Sequence, residues 1–236
     1  MANRPTLYGL GVGPGDPELM TLKAHRILQG VPVIAYPAPE GKASLVRGIA
    51  ASHIPHGKTE IVIETPMIPG DFPNHGVYDR YAGEIAGHLD AGRDVAVLCE
   101  GDPFFYGSFM YLFHRLAGEY ETQVVPGVSS LNACAARAGW PLASRGDMLM
   151  VLPATLSAEI LEARLAETQA AAIIKVGRNL DKILKIINKL GLAGNACYVE
   201  HATMAGERVL PVDGLSLDAA PYFSMILVSR SNDDAA

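Results

Sequence analysis

The chain has 236 residues, is 49% hydrophobic and carries a formal charge of -6. That length holds one large domain or two small ones around a substantial core. An acidic chain with no long basic run argues against nucleic acid or an anionic membrane as partner. Cys99, Cys134 and Cys197 are isolated and form no Cys-x-x-Cys pair, which argues against a zinc site, and their odd number argues against a disulfide framework. Met1-Ala2-Asn3-Arg4-Pro5 lacks the apolar region of a signal peptide, and no apolar run reaches membrane-spanning length. The expectation is a reduced, soluble, cytoplasmic protein with a frayed tail from Asn232 to Ala236.

Thr6 to Val12 reads as a glycine-bearing strand, followed by the turn Gly13-Pro14-Gly15-Asp16-Pro17. Asp16 suits a helix N-cap and Pro17 a first helical position, with Met20, Ala24, Ile27 and Leu28 at helical spacing beyond. Gly9 and Gly11 invite comparison with a dinucleotide-binding G-x-G-x-x-G, but Pro14 occupies the third glycine position and has no N–H for a phosphate. Val31 to Tyr36 is the next strand, Lys42 to Ser52 a helix, and Ile61 to Ile63 a short strand. Thr65 to Gly76 is a long loop rich in proline and glycine, with Asp71, Asn74 and His75. Loops of this length form either binding lids or plain surface excursions. Val77 to Ala91 is helical, with Tyr78, Tyr81, Ile85 and Leu89 on one side.

The stretch from Val95 to Ser108 organises the chain. Val95 to Cys99 is a continuous apolar run, read as a buried strand, and Glu100-Gly101-Asp102-Pro103 ends it. Phe109, Leu112, Phe113 and Leu116 then follow at helical spacing. A polar loop between a buried strand and a helix lies at the carboxyl edge of a sheet, where open α/β sheets bind ligands. Thr122 to Val125 is another strand, broken by Pro126-Gly127-Val128-Ser129-Ser130 before a small-residue helix from Leu131 to Ala138. The paired hydroxyls of Ser129 and Ser130 suit a cap or a ligand contact at that helix start.

Met148 to Leu152, Ala171 to Val176, Ala196 to Val199, Val209 to Val212 and Ser224 to Ser229 read as strands, with helices from Ala158 to Thr168 and Leu180 to Leu190. The alternation predicts two α/β domains, residues 1–122 with a mainly parallel sheet and residues 123–236 with a mixed one.

Four punctuated stretches, Gly11 to Pro17, Gly101 to Gly107, Val125 to Ser130 and Val199 to Thr203, resemble in order and spacing the S-adenosylmethionine-dependent tetrapyrrole (corrin) methyltransferases. Finer features are similar to the branch of that family that methylates precorrin-2 at C20 in cobalamin biosynthesis. They are Pro14 to Lys23, Thr65-Pro66-Met67, Glu100 to Tyr111, Leu152 to Thr155, Lys175 to Arg178 and Tyr222-Phe223-Ser224. The resemblance implies the tetrapyrrole methyltransferase fold, two α/β domains with the active site in the cleft between them, in a homodimer. It implies S-adenosylmethionine as methyl donor, precorrin-2 as acceptor, precorrin-3A as product and no protein-bound metal. Cobalt-precorrin-2, another corrin-ring position, or a non-catalytic sensor are the alternatives.

Carried onto matching positions, the cofactor contacts are Pro14, Glu100, Gly101, Asp102, Phe105, Ser129, Ser130, Val176 and Ala202. Glu100 stands where many relatives have glycine, and Val176 where they often have methionine. Transfer from a sulfonium to an electron-rich ring carbon needs no covalent nucleophile, which fits a chain without a triad or metal cluster. His53, Glu64 and His201 are conceivable bases, each also readable as structural. An acceptor rich in carboxylates calls for local positive charge, with Lys23, Arg26, Lys42, Arg47, Arg137, Arg145, Lys175 and Arg178 as candidates.

Overall fold

A strand with no polar position along it must be covered on both faces, and the central strand of the first sheet is built that way. The computed structural model describes residues 4–66, 75–216 and 220–230. It divides into two units, Met1–Ser129 and Ser130–Ala236. In the first, β1 (Thr6–Gly11), β2 (Val33–Pro39), β3 (Thr59–Thr65), β4 (Val95–Cys99) and β5 (Glu121–Val125) form a parallel sheet in the order β3-β2-β4-β1-β5. All five residues of β4 are buried. Successive side chains point to opposite faces. Val95, Val97 and Cys99 meet α3 (His75–Asp90) and α4 (Phe109–Leu116), while Ala96 and Leu98 meet α1 (Leu22–Gly30) and α2 (Leu45–Ile49).

Two helix starts differ from expectation. Asp16 and Pro17 begin only a 3-10 turn, Pro17–Leu19, in which the Asp16 carboxylate accepts from Glu18 N at 2.9 Å. Met20 is extended, and α1 starts at Leu22 with Thr21 Oγ1 accepting from Ala24 N at 3.2 Å. The helix expected from Lys42 to Ser52 is the shorter α2, capped by Ser44 and followed by a 3-10 turn, Ala51–His53. His75 and Gly76 open α3, while Met67, Asp71 and Asn74 of the expected lid, and the tail from Asn232, lie outside the described residues.

The boundary expected at 122/123 would cut through β5. That strand pairs with β1 from Glu121 to Val125, so the first unit runs on to Ser129.

The second unit holds β6 (Leu149–Pro153), β7 (Ala170–Ile174), β8 (Ala196–Glu200), β9 (Arg208–Pro211) and β10 (Ser224–Ser229) in the order β6-β7-β10-β8-β9. β6 and β7 are parallel, and the other pairs are antiparallel. α6 (Ala158–Glu167) and α7 (Leu180–Lys189) cover one face through Leu161, Leu165, Ile183 and Ile187. α5 (Ser130–Ala138) covers the other through Ala133 and Cys134, whose small side chains let the helix sit close to the sheet. Because β10 lies between β7 and β8 and opposes both, those two strands run the same way. Their carboxyl ends finish at one edge, beside the start of β10. Among the described residues no helix is long and apolar enough to cross a membrane.

Candidate active site

In the first unit the chain leaves β1 toward the face covered by α1 and leaves the adjacent β4 toward the face covered by α4. The two loops diverge there, at the carboxyl edge, the position where ligands enter open α/β sheets. The loops are tied together. Val12 N donates to Cys99 O at 3.0 Å, and Gly101 N donates to Gly13 O at 2.8 Å. Asp102 adds the loop after β5: Oδ1 accepts from Phe104 N at 2.9 Å and Oδ2 from Gly127 N at 3.1 Å. The carboxylate therefore shapes its own turn and also joins two loops 25 residues apart. The junction tolerates no side chain, since a Cβ on Gly11 would lie 2.6 Å from Gly101 O and one on Gly127 only 2.0 Å from it.

Six of the expected cofactor contacts, Pro14, Glu100, Gly101, Asp102, Phe105 and Ser129, lie in these three loops. Pro14 and Gly101 are buried, and Asp102, Phe105 and Ser129 half-buried. Glu100 keeps part of its surface exposed, yet its carboxyl sits deep. Burial pushes that carboxyl above the ordinary range, while its own backbone N–H and that of Val46 hold it down. Ser130 opens α5 and is exposed.

In the second unit Val176 and Ala202, 0% and 7% exposed, follow the parallel strands β7 and β8 at a shared edge. Their loops are strained: Lys175, His201 and Thr203 have φ of 58°, 49° and 65°. Such left-handed conformations cost of order 1–3 kcal/mol each in a non-glycine residue and gather at functional sites. Tyr106, at φ 57°, adds one more in the loop after β4. Glu207 holds the His201 loop from outside, accepting from Thr203 N at 2.6 Å and pairing with Arg137 at 2.7 Å.

Several candidates prove to be engaged in the fold. His53 Nε2 lies 3.2 Å from Pro17 O and its ring meets His25 edge-on at 5.1 Å. Arg47 forks the Glu60 carboxylate, and Arg137 is taken by Glu207, so neither is free for an acceptor carboxylate. Among the described residues no group of three His, Cys, Asp or Glu side chains could hold a metal ion. The left-handed residues and the Asp102–Gly127 link have no local signature in the sequence.

A family model described as Tetrapyrrole (Corrin/Porphyrin) Methylases matches residues 6–216. The chain belongs to the tetrapyrrole methylase family. It is 42% identical over 97% of its length to the cobalamin biosynthesis protein CobIJ of Mycobacterium tuberculosis, and it spans only 46% of that relative. The chain thus spans about half the length of some curated relatives it matches. It is 41% identical, over 96% of both chains, to a precorrin-2 C(20)-methyltransferase of a Sinorhizobium species. Its fold is shared by a uroporphyrin-III C-methyltransferase from Thermus thermophilus complexed with S-adenyl homocysteine. The TM-score is 0.70 with 23% identity, covering 98% of the present chain and 95% of that one.

Proposed function

We propose that this methylase transfers a methyl group from S-adenosylmethionine to C20 of precorrin-2, giving precorrin-3A in cobalamin biosynthesis. The observation that carries this reading is the 41% identity along 96% of both chains to the Sinorhizobium protein of that name. The strained and glycine-lined loops support a donor site. The junction packs the backbones of Gly11, Gly101 and Gly127 against one another and so fixes the loops that carry Pro14, Asp102 and Ser129. Pro14, Glu100, Gly101, Asp102, Phe105, Ser129, Ser130, Val176 and Ala202 would hold the donor, which supplies a methyl group already activated by the sulfonium charge.

The chain's task is then to hold and align rather than to form a covalent bond. The ring carbon provides the electron pair for the new carbon–carbon bond and afterwards loses its proton. Orientation and exclusion of water can contribute about 7–11 kcal/mol to such a step. His53 is engaged with Pro17, and we assign no base. The same reading makes the methylase a cytoplasmic homodimer, which light scattering of the purified protein tests.

The deciding experiment is incubation with precorrin-2 and methyl-labelled S-adenosylmethionine, read by mass spectrometry and NMR. One added methyl at C20 is expected. Label at another ring carbon reassigns the position, and reaction only with cobalt-precorrin-2 reassigns the acceptor. Tight binding without transfer makes the protein a sensor.

A further inference from the structure

Glu200 is the one charged side chain among the described residues that is buried beyond nine-tenths, at 5% exposure. A buried carboxylate is costly unless paired, and well-packed apolar side chains commonly match such a pair in stability. Stability therefore does not account for it, and its place in the sheet does. Register sets Ser224 opposite Glu200 and Glu200 opposite Arg208, so β10, β8 and β9 bring three polar side chains onto one rung. Glu200 Oε1 accepts from Arg208 Nη1 at 3.1 Å, and Oε2 accepts from the buried Tyr198 hydroxyl two residues back on the same face. This rung ends β8 directly before His201 and lies one rung beyond the Ile174–Met225 pair that ends β7. On one side of it His201 N donates to Phe223 O at 2.9 Å. On the other, the Ser224 hydroxyl accepts from Gly177 N at 3.3 Å and donates to Pro221 O at 2.7 Å.

We propose that Tyr198, Glu200 and Arg208 are positioning residues, a latch in which a buried carboxylate is gripped by a buried hydroxyl and a solvent-facing guanidinium, and which holds the loops carrying Val176 and Ala202 and so sets affinity for the methyl donor. The latch touches no reacting atom, and this inference rests on the donor site proposed above. A left-handed loop persists only where its surroundings over-determine it. The latch fixes the end of β8 directly before the His201 loop, and Ser224, paired with Glu200 on the same rung, accepts from Gly177 N in the other loop.

The test uses the full chain and the variants Arg208→Met, Arg208→Lys, Glu200→Gln and Tyr198→Phe. Titration calorimetry with S-adenosylhomocysteine, steady-state kinetics and thermal melting are run on each. Arg208→Met should weaken binding about tenfold and raise KM for the donor alike, with kcat within about twofold, and Arg208→Lys should restore most of the loss. Arg208→Met and Tyr198→Phe together should fall short of the sum of their separate effects, because both act through one carboxylate. A role in stability alone would lower the melting temperature and leave affinity per folded molecule unchanged. Affinities within about twofold of wild type in all folded variants would overturn the latch. Should Arg208→Met fail to fold, Tyr198→Phe, which deletes one hydroxyl, carries the same comparison. A wild-type chain that binds no S-adenosylhomocysteine would overturn the donor site itself, whereas normal wild-type binding with unaffected variants overturns the latch alone.

Discussion

Replacing Asp102 with alanine probes the junction of the first unit most directly. The carboxylate accepts from Phe104 N at 2.9 Å and from Gly127 N at 3.1 Å, and alanine leaves both donors without this partner. A hydrogen bond to a charged group contributes about 1.5–3 kcal/mol, toward the lower end where water can reach it. Asp102 is half-buried, so the two together come to roughly 2–3 kcal/mol. At about 2–4 °C per kcal/mol for a chain of this size, the melting temperature should fall by roughly 5–10 °C. Asp102→Asn keeps a single carbonyl acceptor and should fall by about half as much. Circular dichroism melts give the stability, and calorimetry with S-adenosylhomocysteine well below the transition gives the affinity. Loosening the loops should weaken that affinity about tenfold or more in Asp102→Ala. A melting temperature within about 1 °C of wild type would show that these hydrogen bonds do not hold the junction, and unchanged affinity would reduce Asp102 to a turn residue.

Gly127→Ala would place a Cβ 2.0 Å from Gly101 O and should cost both stability and donor binding. Gly118→Ala, with nothing within 4 Å of the new atom, should change neither in the same melts and titrations. Folding raises the Glu100 carboxyl, so the folded state holds that proton more tightly than the unfolded chain. The associated stability is full below the ordinary glutamate range and lost as pH rises through the raised value. Glu100→Gln should therefore gain in melting temperature relative to wild type as pH rises above the ordinary glutamate range, and a gap independent of pH would refute the assignment. Cys99, Cys134 and Cys197 are buried and free, and burial, with smaller contributions from Cys197 and Glu207, pushes the Cys134 thiol up to about 12. Ellman's reagent should react slowly with the native protein and with all three thiols after denaturation, and fast native reaction would contradict this packing.

Local pattern carried much of the fold. The apolar run of β4 ended by Glu100 to Pro103, and the stripe of Leu180, Ile183 and Ile187 on α7, are visible because burial on both faces or on one stripe dictates composition. Boundaries that depend on distant partners were not visible. β5 belongs with β1, more than a hundred residues earlier, and nothing in Thr122 to Val125 announces that pairing. Asp16 looks like the cap of a long helix because Asx-Pro is a good start for any helical turn, yet Thr21 caps α1. In the candidate site, motif spacing singled out Pro14, Asp102 and Ser129. Motif spacing gave no means of knowing that Asp102 serves the backbone of Gly127, or that Arg47 and Arg137 are already paired. Such contacts follow from tertiary geometry rather than from residue type.

The placement of β10 has a consequence for the order of folding. The first sheet has all five strands once Val125 has been synthesised. The second lacks its middle until Ser229, because β10 separates β7 from β8, and without it the sheet is two disconnected pairs. At about 5–20 residues per second, ribosomal synthesis takes roughly 5–20 s to cover that interval. Over the last part of that interval, after Glu200 and before Ser229, the nascent chain carries both β7 and β8 with unpaired edges, made of residues that are buried in the finished protein. Unpaired apolar edges invite strand addition from other chains. The second unit is thus the part of this chain most dependent on chaperones during translation, and a stalled ribosome past Pro211 would present the nascent chain at its most aggregation-prone.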